Sequence, residues 1–230
     1  IGDPNGIGIE VILKIFEEKE IFDFFTPVLF GNMKLISFQK RHLNLKTSLS
    51  PYKEGGKLSP TQVNVVDVWN TPFNSSFGES TKEGGEHALK SLVAATKALK
   101  EGKVDVLVTA PIDKHNIQSD TFKFPGHTDY LAKELGGKSL MFMITDDLKV
   151  GLLTDHVPVS EVAQLITPER IEEKIALMMQ SLREDFGISK PKIGVLGVNP
   201  HTGDQGIIGK EDDEVLRPTL KKLYDKGHIV

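Results

Sequence analysis

The 230-residue sequence contains no cysteine. Disulfides, thiolate nucleophiles and cysteine-based zinc sites are excluded together, and the composition suits a reducing compartment, with the cytoplasm as the expected location. Basic residues are not in excess either: 28 Lys and Arg stand against 32 Asp and Glu, a formal net charge of −4. With no basic block to neutralise a run of phosphates, a nucleic-acid partner is not expected. Long apolar runs are also missing. The longest, such as residues 140–144, fall far short of the ~20 residues of a membrane-spanning helix, so no membrane association is expected. What remains is ordinary globular usage, 39% hydrophobic and 26% charged, in a chain long enough for one large domain or two small ones.

Short apolar runs alternate with longer amphipathic stretches. Residues 28–30, 63–69, 104–108, 140–144, 150–153 and 193–198 read as strands, because nearly every position is β-branched or otherwise apolar. Thr145-Asp146-Asp147 supplies turn chemistry for a hairpin between two of them. Thr167-Pro168-Glu169 opens a helix with an N-cap, a first-position proline and an acid. Ile171, Ile175, Met178, Leu182 and Phe186 then recur at helical spacing until Gly187. Further helices are expected over 86–100, near Gly6, near Thr128 and over 211–225, and loops over 48–61 and 72–85. Strands alternating with helices point to an α/β fold with a largely parallel, partly mixed sheet.

Polar residues collect just after the apolar runs, where open α/β sheets bind ligands. Gly2-Asp3-Pro4-Asn5-Gly6-Ile7-Gly8 opens a helix, but its spacing is not the dinucleotide fingerprint, and a plain strand-to-helix turn explains it equally well. Thr109-Ala110-Pro111-Ile112-Asp113-Lys114-His115 carries a lysine suited to a phosphate or carboxylate, or to proton transfer if desolvated; a solvated loop lysine is the plainer reading. In Pro125-Gly126-His127-Thr128-Asp129-Tyr130, Thr128 is a candidate N-cap, which would set His127 beside free N–H groups. Thr154-Asp155-His156-Val157-Pro158 and Asn199-Pro200-His201-Thr202-Gly203-Asp204 each place a histidine at a strand end. Two imidazoles suit a divalent metal but are too few for a catalytic zinc, which takes three protein ligands. His42, His87, His115 and His228 are expected at the surface.

Taken in order, these five blocks resemble the 4-hydroxythreonine-4-phosphate dehydrogenase family of vitamin B6 biosynthesis, from Gly2 to at least Thr219. The resemblance implies a two-domain fold like isocitrate and isopropylmalate dehydrogenases, working as a homodimer with active sites at the subunit interface. It implies oxidation of 4-phosphohydroxy-L-threonine by NAD(P)⁺, with a divalent metal (Zn, Mg or Co), to a β-keto acid that loses CO₂. By matching position, His127 and Thr128 would contact the substrate, and His156 and His201 would be two of three metal ligands. Lys114 is the candidate for proton transfer or charge stabilisation; no cofactor-binding residue is assigned. The family's third metal histidine, in a Tyr-His-Asp-Gln-Gly block, has no counterpart here. Both ends therefore read as cut: residues 1–230 would be most of a two-domain dehydrogenase, the rest following Val230, and inactive alone. The alternatives are a dehydrogenase of threonate or erythronate phosphate, a metal-free phosphate acetyltransferase-like enzyme, and a folded but non-catalytic portion.

Overall fold

The computed structural model describes all residues, 1–230. The chain forms two compact units, Ile1–Gly137 and Lys138–Val230. In the first, strands β1 (Val28–Gly31), β2 (Leu49–Tyr52) and β3 (Val63–Asp67) form a parallel sheet in the order β1-β3-β2. Val28 pairs with Asn64, and Leu49 with Val63. Helices α1 (Gly8–Ile15) and α2 (Met33–His42) cover it. Ile9, Leu13, Leu35, Ile36, Val63 and Val65 interlock in one core, each worth roughly 1.5–3 kcal/mol on burial. Asn32 caps α2, accepting from the Leu35 N–H at 3.1 Å and donating to the Trp69 carbonyl at 2.8 Å.

Helix α3 (Lys82–Lys100) starts earlier than expected, inside the presumed 72–85 loop. Thr81 caps it, and Gly84 and Gly85 form its first turn, where they had read as loop chemistry. Its inner face is built from small residues (Gly84, Gly85, Ala88, Ser91, Ala95), while Val93 faces solvent. Small side chains let the helix press onto the sheet, and the Ser91 hydroxyl donates to the Phe30 carbonyl at 2.7 Å. That face also buries His87, against the surface position expected for it. Its ring packs edge-on between Trp69 and Phe73, and Nδ1 donates to the Glu83 carbonyl at 2.8 Å. Helix α4 (His127–Leu135) closes the unit over Phe122, Ile117 and Tyr130, which pack on Ala88 and Leu92.

In the second unit, β4 (Phe142–Ile144) and β5 (Lys149–Gly151) form the expected antiparallel hairpin, closed by a Thr145 N–H to Leu148 carbonyl bond of 2.8 Å. Helix α5 (Val159–Leu165) follows, then α6 (Pro168–Glu184), capped by Thr167 as expected. Ile171, Ile175, Met179 and Leu182 are its buried positions, with Met178 only partly covered. The helix expected over 211–225 is broken in two: a wide π turn over Asp212–Leu216 precedes α7 (Arg217–Asp225). Pro218 lies in the first turn of α7 and lacks the N–H that a continuous α ladder would use, and the wider turn accommodates it.

Three expectations about strands are corrected. Residues 104–108 and 193–198 form no ladder, and β2 lies inside the presumed 48–61 loop. Apolar runs are strand-competent only when a neighbouring strand accepts their backbone groups. Val106 and Val108 are 74% and 88% exposed, with no strand beside them. Ile193 is buried and bonds to the Ile229 carbonyl at 3.0 Å, whereas Leu196 faces out. β2, though poorer in β-branched residues, runs beside β3, and edge position tolerates its Pro51.

Candidate active site

The first motif is a structural junction. The Asp3 N–H donates to the Pro111 carbonyl at 2.9 Å, and the Asp3 carboxylate accepts from its own Asn5 N–H at 2.8 Å and from the Asn116 amide at 2.7 Å. Asn5 in turn bonds to the Thr81 hydroxyl and the Ser76 N–H. A Cβ at Gly2 would fall well inside van der Waals contact with the Pro111 carbonyl. These glycines therefore serve close approach between chain segments. Nothing about them fits a nicotinamide dinucleotide, and no residue of the chain is assigned to one.

That junction positions the Lys114 loop. The Asp113 carboxylate accepts the His115 N–H at 2.7 Å and the Asn116 N–H at 3.3 Å, closing a tight turn. Hydrogen bonds from the Ser80 hydroxyl and these N–H groups hold its carboxyl below the usual aspartate range. The Gln118 amide then donates both to the Lys114 carbonyl at 3.0 Å and to the Phe124 carbonyl at 2.9 Å, tying this loop to the segment entering α4.

Lys114 and His127 are brought together. A Cβ at Gly126 would lie 3.9 Å from Lys114 Nζ, so the ammonium sits beside the start of α4. The N-cap of α4 is Gly126, not Thr128 as its side chain suggested: the helix begins at His127, placing Thr128 within the first turn. No side chain caps this end, so its first N–H groups stay available to an anion. Burial first, and then Lys114, depress the pKa of the half-buried His127 imidazole. An exposed ammonium and open N–H groups at a helix start are chemistry that suits an anion.

The second unit presents the other two histidines differently. His156 and His201 are both exposed, and both have left-handed backbones, with φ of 50° and 52°. For residues with a Cβ this conformation costs about 1–2 kcal/mol each, and such strain gathers at functional positions. Exposed imidazoles fit zinc or cobalt in donor type. In number they fall short: no group of three His, Asp or Glu side chains in the chain is placed to hold a metal. Two exposed imidazoles would be at most part of a donor set.

Around His201 the support comes from acids that sequence reasoning passed over. Asp212 is 2% exposed. Its carboxylate accepts the Val198 N–H and the Asn199 N–H, each at 2.9 Å, and the Asn199 amide at 3.1 Å. Burial alone would raise its pKa, but these donors outweigh burial and hold it below the usual range. Glu211 adds a 2.8 Å bond from the Asn199 amide. In the sequence, Glu211 and Asp212 stand only at the start of the helix expected over 211–225.

Comparisons with known proteins place the chain among relatives of one family. Residues 23–230 match the family described as pyridoxal phosphate biosynthetic protein PdxA. A 4-hydroxythreonine-4-phosphate dehydrogenase from Bacteroides thetaiotaomicron is 40% identical, over 99% of this chain and 63% of its own length. A relative from Oceanobacillus iheyensis, provisionally named a D-threonate 4-phosphate dehydrogenase, is 30% identical over 99% of this chain and 70% of its own. The crystal structure of 4-hydroxythreonine-4-phosphate dehydrogenase from Klebsiella pneumoniae superposes with a TM-score of 0.82 at 29% identity, covering 100% of this chain and 70% of that one. The chain therefore spans about two thirds of the length of these relatives.

Proposed function

The chain belongs to the PdxA family, and from that premise we propose that it is the greater part of an NAD(P)-dependent oxidoreductase acting on 4-phosphohydroxy-L-threonine. The reaction gives 2-amino-3-oxo-4-phosphohydroxybutanoate, which decarboxylates to 3-amino-2-oxopropyl phosphate. The observation that carries the reading is the uncapped start of α4 with Lys114 beside it. A helix N-terminus and an ammonium together favour a phosphate dianion. In this reading Thr128 and the N–H groups of the first turn bind the phosphate, Lys114 balances its charge, and the neutral His127 ring orients the polar end of the substrate.

His156 and His201 are proposed as two ligands of a divalent ion (zinc, magnesium or cobalt) whose set is completed by a further residue. Such an ion, when bound, would act as a Lewis acid toward the substrate oxygen. A homodimer in the cytoplasm completes the proposal; the absence of cysteine suits that compartment.

The test begins with phosphorus NMR of 4-phosphohydroxy-L-threonine titrated into the chain. Binding should weaken about tenfold or more in Lys114→Ala, the range for loss of a charged partner. Unchanged affinity would remove Lys114 from the site. At the length of the relatives, the protein should reduce NAD⁺ or NADP⁺ with this substrate and a divalent ion. The Oceanobacillus relative favours a second reading, threonate 4-phosphate as substrate. The ratio of kcat/KM for the two compounds decides between them.

A further inference from the structure

We propose that Asp212 is a positioning residue for His201, acting through a clamp on the segment that precedes it. The inference rests on the reading of His201 as a metal ligand. His201, Thr202, Gly203, Asp204, Gln205 and Gly206 have consecutive φ values of 52°, 53°, 84°, 44°, 58° and 89°. Six residues in a row have positive φ, four of them not glycine, a conformation that residues with a Cβ rarely adopt. The segment's own bonds are short-range turns: the N–H groups of Thr202, Asp204, Gly206, Ile207 and Ile208 donate to the carbonyls of Asn199, His201, Gly203, Asp204 and Gly203 at 3.0–3.2 Å, and the Thr202 hydroxyl donates to the His201 carbonyl at 2.7 Å. Packing contributes little, since Ile207 is 83% exposed. Such a conformation persists only if its surroundings over-determine it.

Asp212 supplies that constraint at the loop's entrance. Val198 and Asn199 both donate their main-chain N–H groups to its carboxylate, and the Asn199 side chain adds a third bond. The acceptor must be a carboxylate, because two N–H donors approach its two different oxygens. An asparagine would turn an NH₂ group toward one of them. At the far end, Glu211 holds the same Asn199 amide, and Gly203 lies so close to Gly209 that a Cβ would collide with the carbonyl. The loop is therefore pinned across its base, two residues before His201. The clamp sets where the imidazole points without touching it.

The experiment is amide hydrogen exchange by NMR on the metal-free chain, with cobalt titration followed by visible absorption. Asp212→Asn should speed exchange of the Asp204, Gly206 and Ile208 amides tenfold or more while α6 keeps its protection, and should weaken cobalt binding by a similar factor. His201→Ala should abolish cobalt binding but leave those amides protected, because the clamp rather than the imidazole holds the loop. Unchanged loop exchange in Asp212→Asn overturns the proposal, as does faster exchange with unchanged cobalt affinity. If Asp212→Asn unfolds α6, Asn199→Ala decides: faster loop exchange supports the clamp, and unchanged exchange overturns it. If the unsubstituted chain takes up no cobalt, the metal-ligand reading fails, while the exchange result still judges the clamp.

Discussion

The two halves of the chain present their candidate residues by opposite means. Around Lys114 and His127, an ordinary helix start is set over a tight aromatic cluster: Phe122, Phe124 and Tyr130 have ring centroids 5.2–5.5 Å apart. Around His201 there is almost no packing; a strained left-handed segment is held by hydrogen bonds to a buried carboxylate. In the proposed reading, the first arrangement would bind an anion with groups any helix end possesses. The second directs one side chain along a line that relaxed backbone would not take. Phosphate tolerates small displacements because its charge is diffuse, whereas a metal ligand must point. The difference in construction suits the difference between the two proposed tasks.

Three changes break or sharpen that contrast. The largest effect is expected for Phe122→Ala, which empties the centre of the packed cluster. It should cost about 3–5 kcal/mol in denaturant unfolding and weaken phosphate binding with it. Intact phosphate affinity in a folded variant would mean that packing does not hold α4 in place. Next comes Gly203→Ala, where φ is 84° and the added methyl meets the Gly209 carbonyl. A loss of about 2 kcal/mol is expected from the backbone strain and crowding, with altered exchange confined to the loop. A neutral result would show that the left-handed run is not rigidly held.

The smallest effect concerns His127. Burial first, then Lys114, lowers its pKa, so the ring should titrate below the usual histidine range by NMR. The sign follows: the fold favours the neutral ring, so its contribution to stability is present above the unfolded pKa and lost as pH falls through the folded value. Lys114→Ala should move the midpoint upward, and bound phosphate should do the same. A midpoint indifferent to both would separate the two residues.

Much of this was legible without coordinates. The Thr167 cap and the Ile171, Ile175, Leu182 stripe of α6 follow from local chemistry and helical period, and α6 forms where they say. The motifs at Lys114, His127, His156 and His201 were visible as polar residues after apolar runs, and the first two do meet. The errors share a cause. Residues 104–108 and 193–198 have strand composition but no neighbour to pair with, while 49–52 lack strand composition and pair with β3. His87 reads as a surface residue until the small side chains of α3 let the helix sink and carry it inside.

The amino-acid order by itself determined helices such as α6, the excluded cysteine chemistries and the residue types available to a site, because propensity, capping and periodicity act over a few residues. Only the tertiary structure decided which strands pair, that Gly126 rather than Thr128 begins α4, and that a buried aspartate stands behind His201. Those outcomes depend on contacts between segments far apart in the chain, such as Asp3 with Asn116. The physical reason is that burial and hydrogen-bond satisfaction are settled by the whole fold, and no window of sequence contains them.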